Sequence, residues 1–338
     1  MMMKGTKDRK KGWTLCLLAA GMIGVGLLSM TIGRYPLAIE ELLRYVFRGE
    51  YGDENIPVLV EQVRLPRILG AILVGGALGV SGAAYQGLFR NPMVSPDILG
   101  VSAGAGFGAA AAIVCSAGVA GVEASAFVMG LCAVGLSMGV SRVMGRHDRV
   151  LMLVLSGMVV ASLFSALLSL MKFVADSESK LPDITFWLMG SLAAVTVEEL
   201  RIVAPLVLAG LIPLLLASWR LNVLSFGEEE AQTLGVHTGR LRALIVVCAS
   251  LLTASVVSIT GLIGWIGLII PHIARFMVGP DHRVLLPAAF LTGGSFMLVV
   301  DDLARSVTSL EIPLGILTAM VGAPVFLVIL KVRNRKAW

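Results

Sequence analysis

Charge is scarce in this sequence. Only 14% of its 338 residues are Asp, Glu, Lys or Arg, against 57% hydrophobic, whereas a soluble domain carries about a quarter charged residues. The length suits two soluble domains, but that composition excludes them. Thiol and metal chemistry is poorly supplied as well. Cys16, Cys115, Cys132 and Cys248 each lie alone inside apolar runs, so they form neither a metal set nor a disulfide framework. No G-x-x-x-x-G-K-[ST] loop, H-E-x-x-H pair or CxxC pair occurs, which excludes ATP binding through a P-loop and a helix-borne zinc site. The histidines His147, His237, His272 and His282 fall at the ends of apolar runs or between them. The run interiors are nearly free of ionisable residues, which argues against a proton-coupled relay. No cofactor or metal is expected on this chain.

What the sequence has instead is apolar runs of about 20 residues, the length that crosses a hydrocarbon layer. Ten are candidates: Trp13–Ile32, Leu65–Phe89, Ile98–Cys115, Gly121–Met144, Val150–Met171, Leu200–Trp219, Leu241–Ile259, Gly261–Phe276, Val284–Ala304 and Pro313–Leu330. The basic start (Lys4, Lys7, Arg9, Lys10, Lys11) resembles a signal peptide, but the following run is long enough to span and no small-x-small cleavage site follows it. It is expected to be a retained first helix with a cytoplasmic flank.

One stretch needs a break. Ala243–Ala274 contains no charged residue and as a single helix would be roughly 48 Å long, against a core of about 30 Å. Gly261, Gly264, Gly267 and Pro271 offer places to break it, giving a full helix and a short return helix, with a re-entrant loop as the alternative. Charge placement favours ten crossings with both termini cytoplasmic: 18 of the 27 Lys and Arg then lie inside with 7 of the 22 acidic residues, in keeping with the positive-inside rule.

Two connecting segments carry helical patterns. Ile39, Leu42, Leu43, Val46 and Phe47 share one face opposite Glu40, Glu41, Arg44 and Arg48, an amphipathic interfacial helix with Pro36 suited to its first turn. On the cytoplasmic side, Ser225 and Glu228 are spaced as a capping box, Glu228, Glu229 and Glu230 suit a helix N-terminus, Gly235 suits its end, and Thr238 suits the next start. Within the spans, small residues recur at Gly75, Gly79 and Gly82, at Gly100, Gly104 and Gly108, and at Gly135 and Gly139. Close helix packing explains them; a path lining or a sliding surface is the alternative.

Several longer motifs converge. RLPRILGAILVGGALGVSGAAYQGLFRNPMVSPDILGVSAGAGFG (Arg64–Gly108), LNVLSFGEEEAQTLGV (Leu221–Val236), GLIGWIGLIIPHIAR (Gly261–Arg275), DHRVLLP (Asp281–Pro287) and EIPLGILTAMVGAPVF (Glu311–Phe326) occur in this order. Together they resemble the FecCD-type permeases, membrane subunits of ATP-binding-cassette importers for ferric siderophores, haem and cobalamin. The resemblance implies an all-α integral membrane protein with the fold of the cobalamin-importer permease, in a multi-pass arrangement in the cytoplasmic (inner) membrane. It implies a homodimer served by two cytoplasmic ATPase subunits, which use the ATP, and by an extracytoplasmic binding protein. The chain itself is then no enzyme, and no nucleic acid is involved. Ferric siderophore is the first expected cargo, haem and cobalamin the next.

Residue by residue, the resemblance implies binding-protein docking through exposed charge at Arg64, Arg67 and Arg305. It assigns ATPase coupling to Ser225, Glu228, Glu229, Glu230, Leu234 and Gly235, and an inner gate to Asn91, Met93, His147 and Asp148, where the His-Asp pair departs from the small hydroxyl residues expected. The chain reads as one permease domain over 1–338. Within it lie a first helix (13–32), an outer loop with the interfacial helix (33–62), helices two to six (63–219), cytoplasmic coupling helices (220–240) and helices seven to ten (241–331). A stand-alone secondary transporter is the competing class. It requires buried coupling residues or broken helices at the midplane, and only Gly261–Pro271 hints at one. No paired catalytic residues support an intramembrane enzyme.

Overall fold

The computed structural model describes residues 2–33, 35, 37–144, 149–308 and 310–334. Pro36, His147 and Asp148 lie outside the described residues. Among those described, all regular structure is helical. The first helix, α1 (Met2–Ser29), is followed by the surface helix α2 (Ile39–Arg48). Next, α3 (Asn55–Val58), a π-helical segment (Leu59–Arg64) and α4 (Leu65–Leu88) run together as one rod of 34 residues. The π segment falls just ahead of Pro66, which has no N–H for the regular ladder.

A 3-10 turn (Pro96–Leu99) and Gly100, with φ +84°, lead into α5 (Val101–Val114). There follow α6 (Val119–Met144), α7 (Arg149–Val174), α8 (Lys180–Met189) and α9 (Val197–Leu216). The last is started by a reciprocal cap between Thr196 and Glu199, with N···O distances of 2.9 and 3.3 Å, which satisfies two otherwise orphan N–H groups. The chain continues through α10 (Ser218–Leu224), α11 (Glu228–Thr233), α12 (Thr238–Thr260), α13 (Ile266–Val278), α14 (His282–Ser306) and α15 (Leu314–Asn334).

Seven helices are long and apolar enough to cross a membrane, and three shorter apolar helices (Val101–Val114, Ile266–Val278, Leu314–Ile329) join them. Each of the ten coincides with one apolar run of the sequence. The hydrophobic part of the α4 rod is 83% buried and that of α1 only 6%, so α4 is the central post and α1 a peripheral one. Glycine sets how closely the posts stand. A Cβ on Gly75 would lie 2.1 Å from the carbonyl oxygen of Gly293, and one on Gly82 would lie 1.8 Å from that of Gly267. Those contacts hold α14 and α13 against α4, the role small residues play between helices in lipid. Gly104 and Gly108 meet the α6 backbone in the same way, whereas Gly135 and Gly139 face open space. Hydroxyl groups add to the α4–α12 seam: Ser81 donates to the Ala249 carbonyl at 2.9 Å, and Tyr85 meets Ser250 at 2.7 Å.

The long uncharged stretch breaks at Gly261, whose φ is +71°. Irregular backbone at membrane depth survives only inside protein or beside a cavity, and here the break is sheltered by the turn after α8. Ser191 N–H donates to the Thr260 carbonyl (2.8 Å) and Leu314 N–H to that of Gly190 (3.0 Å). A Cβ on Gly261 would sit 2.0 Å from the Trp187 carbonyl oxygen. At the surface, α2 buries Leu42 on Leu37, Ile56 and Val60, while Ile39, Leu43, Val46 and Phe47 remain exposed.

Candidate functional site

Two polar assemblies sit at opposite ends of the helices. The first joins the start of α4 to the end of α14. Arg67 Nε donates to both oxygens of Asp301 at 2.9 Å, and its two terminal nitrogens bind Glu311 at 3.0 and 2.9 Å. Arg305 pairs with Asp302, lies 3.7 Å from Asp301, and donates to the Ser29 carbonyl at 2.8 Å. Ser29 donates to Asp302 at 2.6 Å, tying in the end of α1. Arg64 donates to the carbonyls of Met30 and Tyr35.

Three guanidinium groups and three carboxylates thus form a neutral set. Within it Arg67 is fully paired with good geometry, Arg305 is paired through a terminal nitrogen while its Nε has no hydrogen-bond partner, and Arg64 is held by main-chain carbonyls. Arg64, Arg67 and Arg305 are only 2%, 6% and 5% exposed. The expectation of exposed charge at these positions is therefore corrected. The sequence shows basic helix ends but not the tertiary partners that draw them inward: for Arg67 the carboxylates of Asp301 and Glu311, 234 and 244 positions away, for Arg64 the carbonyls of Met30 and Tyr35, and for Arg305 the end of α1 at Ser29.

The second assembly carries the expected coupling residues. Ser225 does not cap α11. Its hydroxyl donates to the Asn222 carbonyl at 2.6 Å, because Ser225 closes α10 and Gly227, with φ +137°, stands as the N-cap of α11 instead. The capping box drawn from the Ser225–Glu228 spacing is corrected accordingly. Glu228 pairs with Arg242 of α12, while Glu229 and Glu230 are exposed in the first turn. The helix stops as expected at Gly235: with φ +78° there, its N–H bonds the Gln232 carbonyl and Val236 N–H that of Ala231, both at 2.9 Å. This reciprocal pair is a Schellman stop. Leu234 is 60% and Phe226 73% exposed, so an apolar residue projects at each end of a short, firmly closed helix. Phe226 was not foreseen.

Nor was the joint beneath this helix. Asn222, near the end of α10, donates its side-chain amide N–H to Asp281 at 2.6 Å, and its side-chain oxygen Oδ1 accepts the His282 N–H at 2.8 Å. His282 Nδ1 lies 2.8 Å from the same oxygen. Burial works against the charge on Asp281, but bonds from Asn222 and the Arg283 N–H win and hold its carboxyl below the ordinary value. Asn91 accepts the Met93 N–H at 2.9 Å in a turn after α4, and Met93 is 45% exposed.

Comparison with known proteins fits this arrangement. The family model described as the FecCD transport family matches residues 21–332. The chain is 43% identical over 319 residues to the molybdate import system permease protein MolB of Haemophilus influenzae, with 93% of each chain covered. It is 44% identical over 284 residues to the cobalamin import system permease protein BtuC of Halobacterium salinarum, covering 84% of this chain and 76% of that one. Further relatives carry names for iron chelatin and hemin transport permeases. Among solved structures, one titled as an inward-facing conformation of a putative metal-chelate type ABC transporter superposes with a TM-score of 0.86 at 42% identity, over 94% of this chain and 98% of that one. With matches that span almost its whole length, the chain belongs to the FecCD transport family.

Proposed function

We propose that this chain is the permease subunit of an ATP-binding-cassette importer, crossing the cytoplasmic membrane ten times with both termini inside and working as a homodimer. The observation that carries the reading is α11: six residues closed by a Schellman stop, flanked by exposed Phe226 and Leu234, and pinned through Asn222 to the start of α14. A short rigid knob on a surface otherwise made of helix ends suits a groove on a separate ATPase subunit. The chain lacks the phosphate loop that would make it an ATPase itself. Ten apolar helices, seven long and three short, and the excess of Lys and Arg on the side of α11 support the orientation.

On the opposite side, the neutral cluster of Arg64, Arg67 and Arg305 serves docking of an extracytoplasmic binding protein by fixing the ends of α1, α4 and α14. In this reading the cluster shapes the docking surface rather than contacting the partner's carboxylates directly. The turn at Asn91 and Met93, at the α11 end of α4, stands beside the inner exit.

The cargo is a metal-containing complex. Molybdate, cobalamin, iron chelatin and hemin appear in the names of relatives, and what these share is a metal centre, not a size. Ferric siderophore, haem and cobalamin, with molybdate beside them, are the cargoes to test. The discriminating experiment is uptake of each labelled complex by vesicles holding this chain, its ATPase and its binding protein. One complex should accumulate at least tenfold above the others. Equal accumulation of none of them with ATP present overturns the cargo assignment. The broken stretch between α12 and α13 does not favour a secondary transporter, since it is braced within the protein: the Thr260 carbonyl at its start accepts the Ser191 N–H of the turn after α8, and Gly261 packs against the Trp187 carbonyl.

A further inference from the structure

Three arginines from three helices meet at one cavity of about 340 Å³, at the end of the molecule that carries α11. Arg142 stands in the last turn of α6, Arg149 begins α7, and Arg242 lies one turn into α12. At this end α6 arrives, whereas α7 and α12 depart. Met138, Leu153 and Val246, each four residues from one of these arginines, therefore make the next layer inward. The wall is a tier of guanidinium groups above an apolar floor. No carboxylate among the described residues lines it.

Charge and hydrogen bonding are both left open in that tier. Arg142 and Arg149 are exposed and have no ion pair among the described residues. Arg242 is different. Its side chain is only 11% exposed, a terminal nitrogen pairs with Glu228 of α11, and its buried Nε has no hydrogen-bond partner. A buried polar atom left so is rare, and a bound ion is one of the things that accounts for it. Three guanidinium groups against one carboxylate leave an excess of two positive charges around the cavity. The start of α12 adds to that excess. No side chain caps this helix at His237, and Gly239 of its first turn lies in the wall, where a Cβ would meet only Arg149 Nη1, at 3.8 Å. An open helix start offers partial positive charge and main-chain N–H donors.

From this we infer that the cavity between α6, α7 and α12 is a binding site for a compact dianionic oxyanion of the phosphate class, held by Arg149, Arg242 and the first turn of α12, with Arg142 completing the tier. The fork of a guanidinium binds two oxygens at once, and a tetrahedral dianion matches the charge excess. The floor argues against a larger ester. Leu153 is 4% and Val246 0% exposed, so little apolar surface is left for a tail or a base to cover. Arg242 is shared, lining the cavity and holding Glu228 of α11. Filling the cavity therefore draws on the same guanidinium that ties α11 to α12. The binding is measured on the isolated chain and rests on neither the orientation nor the transport reading above.

The test is equilibrium dialysis of the purified chain, in a neutral detergent, against radiolabelled inorganic phosphate, with ionic strength held constant by sodium chloride. Saturable binding is expected. Arg149→Gln should weaken it roughly tenfold, and Arg201→Gln near the start of α9 should leave it unchanged. Both arginines are exposed, so neither change endangers the fold, and thermal unfolding curves should match the wild type. Glu228→Gln frees Arg242 of its carboxylate and should tighten phosphate binding several-fold, an effect that a loss of structure would not produce. Adenosine monophosphate, added as a competitor, should displace the label no better than unlabelled phosphate. The absence of saturable binding, or an affinity unaltered by Arg149→Gln or by Glu228→Gln, overturns the inference. Stronger displacement by adenosine monophosphate would show a site for a phosphate ester and equally overturn the assignment to a compact ion.

Discussion

Arg67 on α4 and Asp301 on α14 lie 234 positions apart in the sequence, yet one guanidinium nitrogen bonds both carboxylate oxygens at 2.9 Å. The other end of the same guanidinium holds Glu311 ahead of α15, so a single side chain couples three helices. Removing one member of a buried pair strands the other charge and costs about 3–5 kcal/mol. Arg67→Ala and Asp301→Ala should therefore each lower stability to thermal or denaturant unfolding in detergent by about that much. The double change Arg67→Met/Asp301→Leu should recover a large part of the loss, because no orphan charge remains. A single variant as stable as the wild type would show that the pair does not hold these helices.

The glycines divide into two groups with opposite expectations. Gly75 and Gly293 back onto each other's carbonyls at 2.1 Å from a hypothetical Cβ, so alanine at either must push α4 and α14 apart. Overpacking of this kind costs about 1–3 kcal/mol. Gly135 and Gly139 have nothing within 4 Å, and alanine there should be neutral or slightly stabilising through helix propensity. Thermal unfolding of the four single variants in one detergent tests the contrast. Equal effects in both groups would contradict the packing.

Asn222 is the mechanical link between α10 and the α13–α14 turn. Asn222→Leu removes the side-chain donor of Asp281, which keeps the Arg283 N–H, and the acceptor of the His282 N–H together. A cost of about 1–3 kcal/mol follows from the unsatisfied groups. Proteolysis should report the change near α11 first, since Asn222 sits in the helix that leads into it, and the remaining anchors are the Glu228–Arg242 pair and buried Ala231. Protection equal to wild type in the 220–240 segment would remove Asn222 from this role.

For α11 itself, the expected effect is functional. Gly235 has φ +78° and donates its N–H to Gln232; proline can do neither. Gly235→Pro should insert normally while ATP hydrolysis by the partner ATPase no longer drives uptake. Transport at wild-type rates in that variant would separate α11 from coupling.

Much of the architecture was legible because it is local. Ten apolar runs became ten helices, and the break at Gly261 followed from length, glycine and the thickness of a membrane. Gly235 ended α11 because only a residue tolerant of positive φ closes that stop. Ser225 misled, since the spacing that makes a capping box is also met when a serine closes one helix and a glycine opens the next. The burial of Arg64, Arg67 and Arg305 was illegible for another reason: Arg67 finds Asp301 and Glu311 in a distant segment, Arg64 finds the Met30 and Tyr35 carbonyls, and Arg305, although Asp301 and Asp302 are its neighbours on α14, is covered by Ser29 of α1; nothing in the periodicity around RLPR points to these contacts. The Asn222–Asp281–His282 joint belongs to the same kind, being made wholly by tertiary contact. Met93 and Asn91 were placed together by their own turn, a local feature again.

The central claim is that this chain forms a path and takes its energy from elsewhere. Uptake of a labelled metal complex into sealed vesicles, measured with the chain alone and then with its ATPase, binding protein and ATP, tests it directly. The account predicts accumulation only in the complete set, and its abolition when ATP is replaced by a non-hydrolysable analogue. Concentrative uptake by the chain alone, driven by an ion gradient, would contradict it.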